Sequence, residues 1–146
     1  YFGGLYGLKK KNIMKRLDEL LKLFKLTGFE NELIRNLSGG MKTRANLLIS
    51  LIHSPSLLIL DEPTIGLDSV LRSILWSYIK EINKNGTTIL VSSHLTGEIE
   101  RNCSSVLIMK NGKIIADATP DEYLKKYQKY KDLEGIFEML MNNENI

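Results

Sequence analysis

From Asn12 onward, Ile13, Leu17, Leu20, Leu21 and Phe24 recur at three- and four-residue steps with lysines and acids between them. This is the pattern of an amphipathic helix, which Thr27-Gly28 is expected to close. An irregular stretch, FENELIRN, leads to Ser38, a good N-cap residue, and then to Met41, Ala45, Leu48, Ile49 and Ile52 at helical spacing. A second helix is therefore predicted from Gly39 to about His53, ended by Pro55. Leu57-Leu58-Ile59-Leu60 is short, wholly apolar and followed by an acid, as expected of a strand buried on both faces. After Pro63 and Gly66, a third helical face carries Val70, Leu71, Ile74, Leu75, Tyr78, Ile79 and Ile82 and stops at Asn85-Gly86. Thr88–Val91 reads as a second buried strand, and a strand, helix, strand unit of these lengths predicts two parallel strands in one sheet. A short helix around Glu98–Arg101, an apolar run at Val106–Met109 and a hairpin through Asn111-Gly112 into Lys113–Ala116 follow. The tail from Pro120 reads as helical and polar, with little to hold its last residues.

Composition narrows the class. With 146 residues, 43% hydrophobic and 25% charged, the chain has material for one ordinary globular domain, which excludes disorder and collagen-like repetition. No apolar run approaches the roughly 20 residues that cross a bilayer, and YFGGLYGLKKK lacks the features of a secretory signal, so any membrane role is expected to be peripheral. Cys103 is the only cysteine. That excludes an internal disulfide framework and a cysteine zinc cluster, suits a reducing compartment, and predicts a free buried thiol. A net charge of +3 is a weak pointer to any polyanion. Residue 1 is Tyr and the first Met, Met14, falls inside a predicted helix, so the chain is expected to be part of a longer gene product.

Three segments carry candidate chemistry: Leu37-Ser38-Gly39-Gly40-Met41 at a helix start, Asp61-Glu62-Pro63 after one strand, and Ser92-Ser93-His94 after the next. Each alone has an ordinary explanation as a cap, a turn or a structural histidine. Together they are harder to dismiss, because the carboxyl ends of parallel strands are where open α/β sheets place ligands. Asp61, Glu62 and His94 are thus expected to converge on one edge. An acid closing an apolar strand is placed to hold Mg²⁺ through water, and its neighbour Glu62 to polarise an attacking water. Free amides after Ser38, with glycines allowing close backbone approach, form an anion site without a basic side chain. The chemistry indicated is that of phosphates.

LSGGM, LLILDEP, the following GLD, and SSH, in this order and at these intervals, resemble the second half of the ATP-binding subunit of ABC transporters. Among these the chain looks most similar to the ATPases of ABC-2 type permeases, including the tail KDLEGIFEML. The resemblance implies an α/β fold: an incomplete P-loop NTPase-like parallel sheet core, its P-loop half missing, with the helical signature subdomain of the family. It divides the chain into a helical signature subdomain (1–54), the second part of the ATPase core (55–118) and a C-terminal helical tail (119–146).

It also implies roles. Ser38, Gly39 and Gly40 match the signature loop, which contacts the γ-phosphate of ATP held by the opposing subunit. Asp61 matches the acid that supports Mg²⁺, Glu62 the catalytic carboxylate that orients or deprotonates water, His94 the switch histidine that senses the γ-phosphate, and Asp68 the D-loop acid that communicates across the dimer. Met41 departs from the commoner glutamine and Ile65 from a small or polar residue, and neither change removes a catalytic group. The sequence contains no G-x-x-x-x-G-K-[ST] loop, and FGGLYGLKKK has its glycines and lysines at the wrong intervals, so it reads as a surface entry into the first helix. The aromatic that stacks on adenine and the Q-loop glutamine would lie in the missing half, with this chain beginning just beyond that loop. The P-loop strand would lie between those matching Thr88–Val91 and Val106–Met109, so a gap in the sheet is expected.

The resemblance thus implies ATP and Mg²⁺ as cofactors, and membrane permease subunits and a second ATP-binding subunit in a head-to-tail dimer as partners. No nucleic acid is expected, and the implied location is cytoplasmic, on the inner face of the cell membrane. The chain alone, lacking the P-loop, is expected to be inactive. Two other classes compete: a soluble ABC-type ATPase acting on ribosomes or DNA, and a non-catalytic binding module descended from the family. The first usually has paired cassettes or long insertions, and the second has little reason to keep both Glu62 and His94.

Overall fold

A computed structural model describes residues 1–142. The chain divides into two compact units, Tyr1–Ser92 and a second that begins at Ser93, so the division falls inside the segment 55–118.

The first unit opens with a short helix α1 (Phe2–Leu5), where the sequence suggested only a surface entry. Gly3 is buried there against α2 (Lys10–Leu23), and an added Cβ would lie 2.9 Å from Ile13 Cγ1. Helix α2 buries Leu20 and Leu21 and ends earlier than Thr27-Gly28 suggested. Phe24 is its C-cap, and Lys25 takes the left-handed conformation (φ 52°) usually given to glycine. The amide of Lys25 donates to the Lys22 carbonyl at 3.2 Å and that of Leu26 to the Leu21 carbonyl at 2.8 Å, a Schellman ending that satisfies carbonyls the helix leaves open. A single 3-10 turn, Ile34–Asn36, leads into α3 (Gly39–Leu51), whose Leu47, Leu48 and Leu51 are buried.

Strand β1 (Leu57–Asp61), helix α4 (Ser69–Lys84) and strand β2 (Thr88–Ser92) form the expected crossover, with β1 parallel to β2 and Asp61 opposite Ser92. Helix α4 turns Leu71, Leu75, Trp76, Tyr78 and Ile79 inward and ends on Gly86 (φ 100°), whose freedom at positive φ closes a second Schellman turn. The Arg16 guanidinium donates to the Tyr78 hydroxyl, tying α2 to α4, and burial pushes that phenol's pKa up.

The expectation of strands buried on both faces is not met. Leu58 and Leu60 are buried, but Leu57 is 54% and Ile59 65% exposed, and on β2 Leu90 is 54% exposed. Among the described residues the exposure alternates along both strands, so one face of this two-stranded sheet is more covered than the other.

The second unit runs through α5 (Thr96–Asn102), β3 (Val106–Lys110), β4 (Lys113–Ala118), α6 (Pro120–Lys126) and α7 (Leu133–Asn142). Strands β3 and β4 pair antiparallel in a two-stranded sheet of their own. Asn111 and Gly112 both hold positive φ, as a tight hairpin turn demands. Cys103 is half-buried at the end of α5, not fully buried as expected. The tail is less polar than its lysines suggested. Tyr123 is 2% exposed with its hydroxyl on the Val106 carbonyl, and Leu133, Ile136 and Leu140 of α7 are buried. The Glu100 carboxylate accepts from the Leu133 amide at 2.7 Å and so holds the start of α7. The expectation for the last residues falls on 143–146, outside the described part. Among the described residues, no helix is long and apolar enough to cross a membrane.

Candidate functional site

Ser38 sits in extended backbone immediately before α3, and its hydroxyl accepts from the Met41 amide at 3.3 Å, the N-cap the sequence predicts. The two glycines that follow differ. An added Cβ on Gly40 would lie 3.1 Å from the Gly66 carbonyl oxygen, so the chain itself requires a small residue there. On Gly39 an added Cβ would meet nothing within 4 Å, and its backbone is helical. Alanine would therefore fit at Gly39 and be favoured over glycine by a few tenths to about 1 kcal/mol in a helix. Among the described residues, no neighbour within 4 Å requires glycine at this exposed position.

At the carboxyl end of β1, Asp61 is exposed and accepts a hydrogen bond from the Ser92 hydroxyl across the strand pair. Glu62 follows, half-buried and at φ 46°. Its amide donates to the Ser92 carbonyl at 3.0 Å and its carbonyl accepts from the Ile65 amide at 3.2 Å. The strained backbone is thus fixed from both sides. The turn continues through buried Thr64, whose carbonyl accepts from the Leu67 amide, to Gly66 (φ 77°). Asp68 then caps α4, accepting from the Leu71 amide at 2.9 Å. Arg72 Nε donates to the Leu67 carbonyl at 3.0 Å and steadies the same loop.

The structure therefore places Ser38, Gly39, Gly40, Asp61, Glu62 and Asp68 in the first unit, and joins the Ser38 turn to the loop after Glu62 through the Gly40–Gly66 approach. His94 opens the second unit, two residues beyond Ser92, exposed, in a turn where its carbonyl accepts from the Thr96 amide at 3.1 Å. An apolar cavity of about 160 Å³ lies elsewhere, between α2 and α3, lined by Leu17, Leu21, Phe29, Ile34 and Leu48, and no candidate residue touches it.

The donor set at Asp61 is oxygen only, as a hard cation prefers. Among the described residues no group of three His, Cys, Asp or Glu side chains could hold a metal. A single carboxylate with a neighbouring hydroxyl fits Mg²⁺, which keeps several waters and takes phosphate oxygens as ligands. Two contacts escaped the sequence reading. Ser92 was visible in the SSH motif, but its bond to Asp61 needed the strand register. Arg44, four residues beyond Gly40, binds the Gly40 carbonyl through Nε at 3.2 Å, and only the i, i+4 spacing hinted at it.

A family model described as ABC transporter matches residues 7–65. The chain is 34% identical over 137 residues to the ABC transporter ATP-binding protein NatA of Bacillus subtilis, covering 94% of this chain and 55% of that protein. It is 37% identical over 123 residues to the Nod factor export ATP-binding protein I of Cupriavidus pinatubonensis, covering 84% of this chain and 38% of that one. A solved structure described as the ATP binding subunit of an ABC transporter superposes with a TM-score of 0.88 at 27% identity, over 97% of this chain and 59% of its own. The chain thus spans about half or less of the length of these two curated relatives.

Proposed function

Since the chain belongs to the ATP-binding domains of ABC transporters, of the ABC-2/G family type, and spans part of one, we propose that it serves in an ATP-hydrolysing subunit that drives a membrane permease from the cytoplasmic face. Gly39 is the observation that carries this reading. A capped helix start with an exposed glycine that its described neighbours do not require suits close approach by an external anion. In the proposed head-to-tail dimer that anion is the γ-phosphate of ATP held by the second subunit. The division into signature subdomain (1–54), core (55–118) and tail (119–146) belongs to the same proposal.

The proposed roles are as follows. Asp61, at the strand end and oriented by the Ser92 hydroxyl, supports Mg²⁺ through water. Mg²⁺ held there would supply positive charge against that of the phosphates. Glu62, held by two backbone hydrogen bonds, orients the attacking water and accepts its proton as the water oxygen bonds the γ-phosphorus and the bond to the bridging oxygen breaks, so that ADP and phosphate leave and the carboxyl is left protonated. His94 donates a hydrogen bond to a γ-phosphate oxygen. Asp68 spends its carboxylate on the start of α4, so it signals across the dimer through the loop it fixes.

The test is hydrolysis in the complete subunit. Glu62→Gln is expected to lower turnover by about 10²–10⁴, the scale for losing a general base, with ATP affinity kept. The present chain alone, without a P-loop, is expected to show no turnover above that variant. Near-normal turnover in Glu62→Gln would make Glu62 structural and remove the reading.

A further inference from the structure

Arg44 does more than its place on α3 requires. Its Nε donates to the Gly40 carbonyl at 3.2 Å, while Nη1 reaches the carbonyls of Phe24 at 3.0 Å and Lys25 at 3.2 Å. Phe24 and Lys25 are the C-cap and the left-handed residue that end α2, where carbonyls gather partial negative charge. One planar group therefore bridges the last turn of α2 and the first turn of α3. The same turn also runs close to the Gly66 carbonyl at Gly40, while Gly39 beside it is exposed.

We propose that Arg44 is a positioning residue for the Ser38–Gly40 turn: its guanidinium sets the register of α3 on the end of α2, and thereby where the Gly39 and Gly40 amides stand when they meet phosphate. This rests on the function proposed above. Lysine would keep the charge near the end of α2, but a single ammonium cannot occupy the Nε and Nη1 positions together. A cap that needs only charge survives Arg44→Lys; a bridge does not.

The experiment compares the complete subunit with its Arg44→Lys, Gly39→Ala and double variants, reading kcat, affinity of the subunit's own P-loop for ATP, and Tm. Arg44→Lys is expected to lower kcat about 10- to 100-fold, the scale of a small misplacement, with ATP affinity within about twofold. If Arg44 acts through the glycine turn, the double variant is no slower than the slower single one. Full kcat in Arg44→Lys, multiplied losses in the double variant, or failure of Arg44→Lys to fold would each overturn the inference. Full kcat in Gly39→Ala would instead remove the underlying reading of the turn, so the two failures are separable.

Discussion

At the start of α3 the Ser38 hydroxyl accepts from the third amide of the helix at 3.3 Å, and at the start of α4 the Asp68 carboxylate accepts from the corresponding amide at 2.9 Å. Both satisfy an amide that a helix leaves open. The difference lies in what remains. Asp68 brings its own negative charge to the positive end of α4, so that end is electrically complete. Ser38 brings none, and Gly39 adds no side chain to fill the space beside it. The same capping rule thus yields a finished structural joint in one place and, in the reading proposed here, a receptor for phosphate in the other.

The strongest way to break this contrast is to fill the two glycines. Gly40→Val is expected to cost about 1–3 kcal/mol through crowding against the Gly66 carbonyl, seen as a lower denaturation midpoint. Gly39→Ala is expected to leave stability unchanged or raise it by up to about 1 kcal/mol. Equal losses at both positions would show that the Gly66 approach does not limit the turn. Next in size, Asp68→Ala removes a cap and a charge and is expected to cost about 1–2 kcal/mol by the same measurement. Ser38→Ala, with a longer bond at an exposed position, is expected to cost about 0.5 kcal/mol, while hydrolysis by the complete subunit falls by more than that loss explains.

The smallest effect belongs to a third helix start. At α6, Thr119 and Glu122 form a reciprocal capping box, and the hydrogen bonds from the Thr119 amide and hydroxyl hold the Glu122 carboxyl below its ordinary value of 4.5. A carboxyl with a depressed folded-state pKa contributes stability above its ordinary pKa and loses it as pH falls through the folded value. Acidification below pH 4.5 is therefore expected to loosen the first turn of α6. Nuclear magnetic resonance titration of the Thr119 amide would follow it, and an amide signal unchanged between pH 6 and 3 would count against the reciprocal cap.

The Ser38 cap, the end of α4 and the parallel strand pair are legible in the sequence because they depend on local chemistry: Ser38 and the apolar spacing after it, Asn85-Gly86, and the crossover length; the Asp68 cap was not read there. Three further features were not legible. Leu57 and Ile59 are as apolar as Leu58 and Leu60, and an unbroken apolar run carries no alternation from which to read the uncovered face. Lys25 ends α2 three residues before Gly28, which also holds positive φ, and buried Phe24 and Leu26 flank that earlier end. The face of α7 did have helical spacing at Leu133, Ile136 and Leu140, but the lysines before it dominated the impression of polarity. For the site, the motif residues were readable one by one. The Asp61–Ser92 bond, the Gly40–Gly66 approach and the Arg44 bridge join residues distant in sequence, and only folding brings them together.

Glu62 stands at φ 46°, a conformation that glycine or asparagine adopts at less cost and that β-branched residues resist. A carboxylate on that backbone gives up about 1–2 kcal/mol that Glu62→Gly would return. Drift under selection for folding alone would carry this position toward glycine, and an effort to harden the protein by repairing strained residues would begin here and remove the proposed general base. Robustness and turnover pull against each other at a single residue, so a thermostable derivative has to gain its margin elsewhere, for instance at the caps of α1 and α2, where no side chain now accepts from the helix.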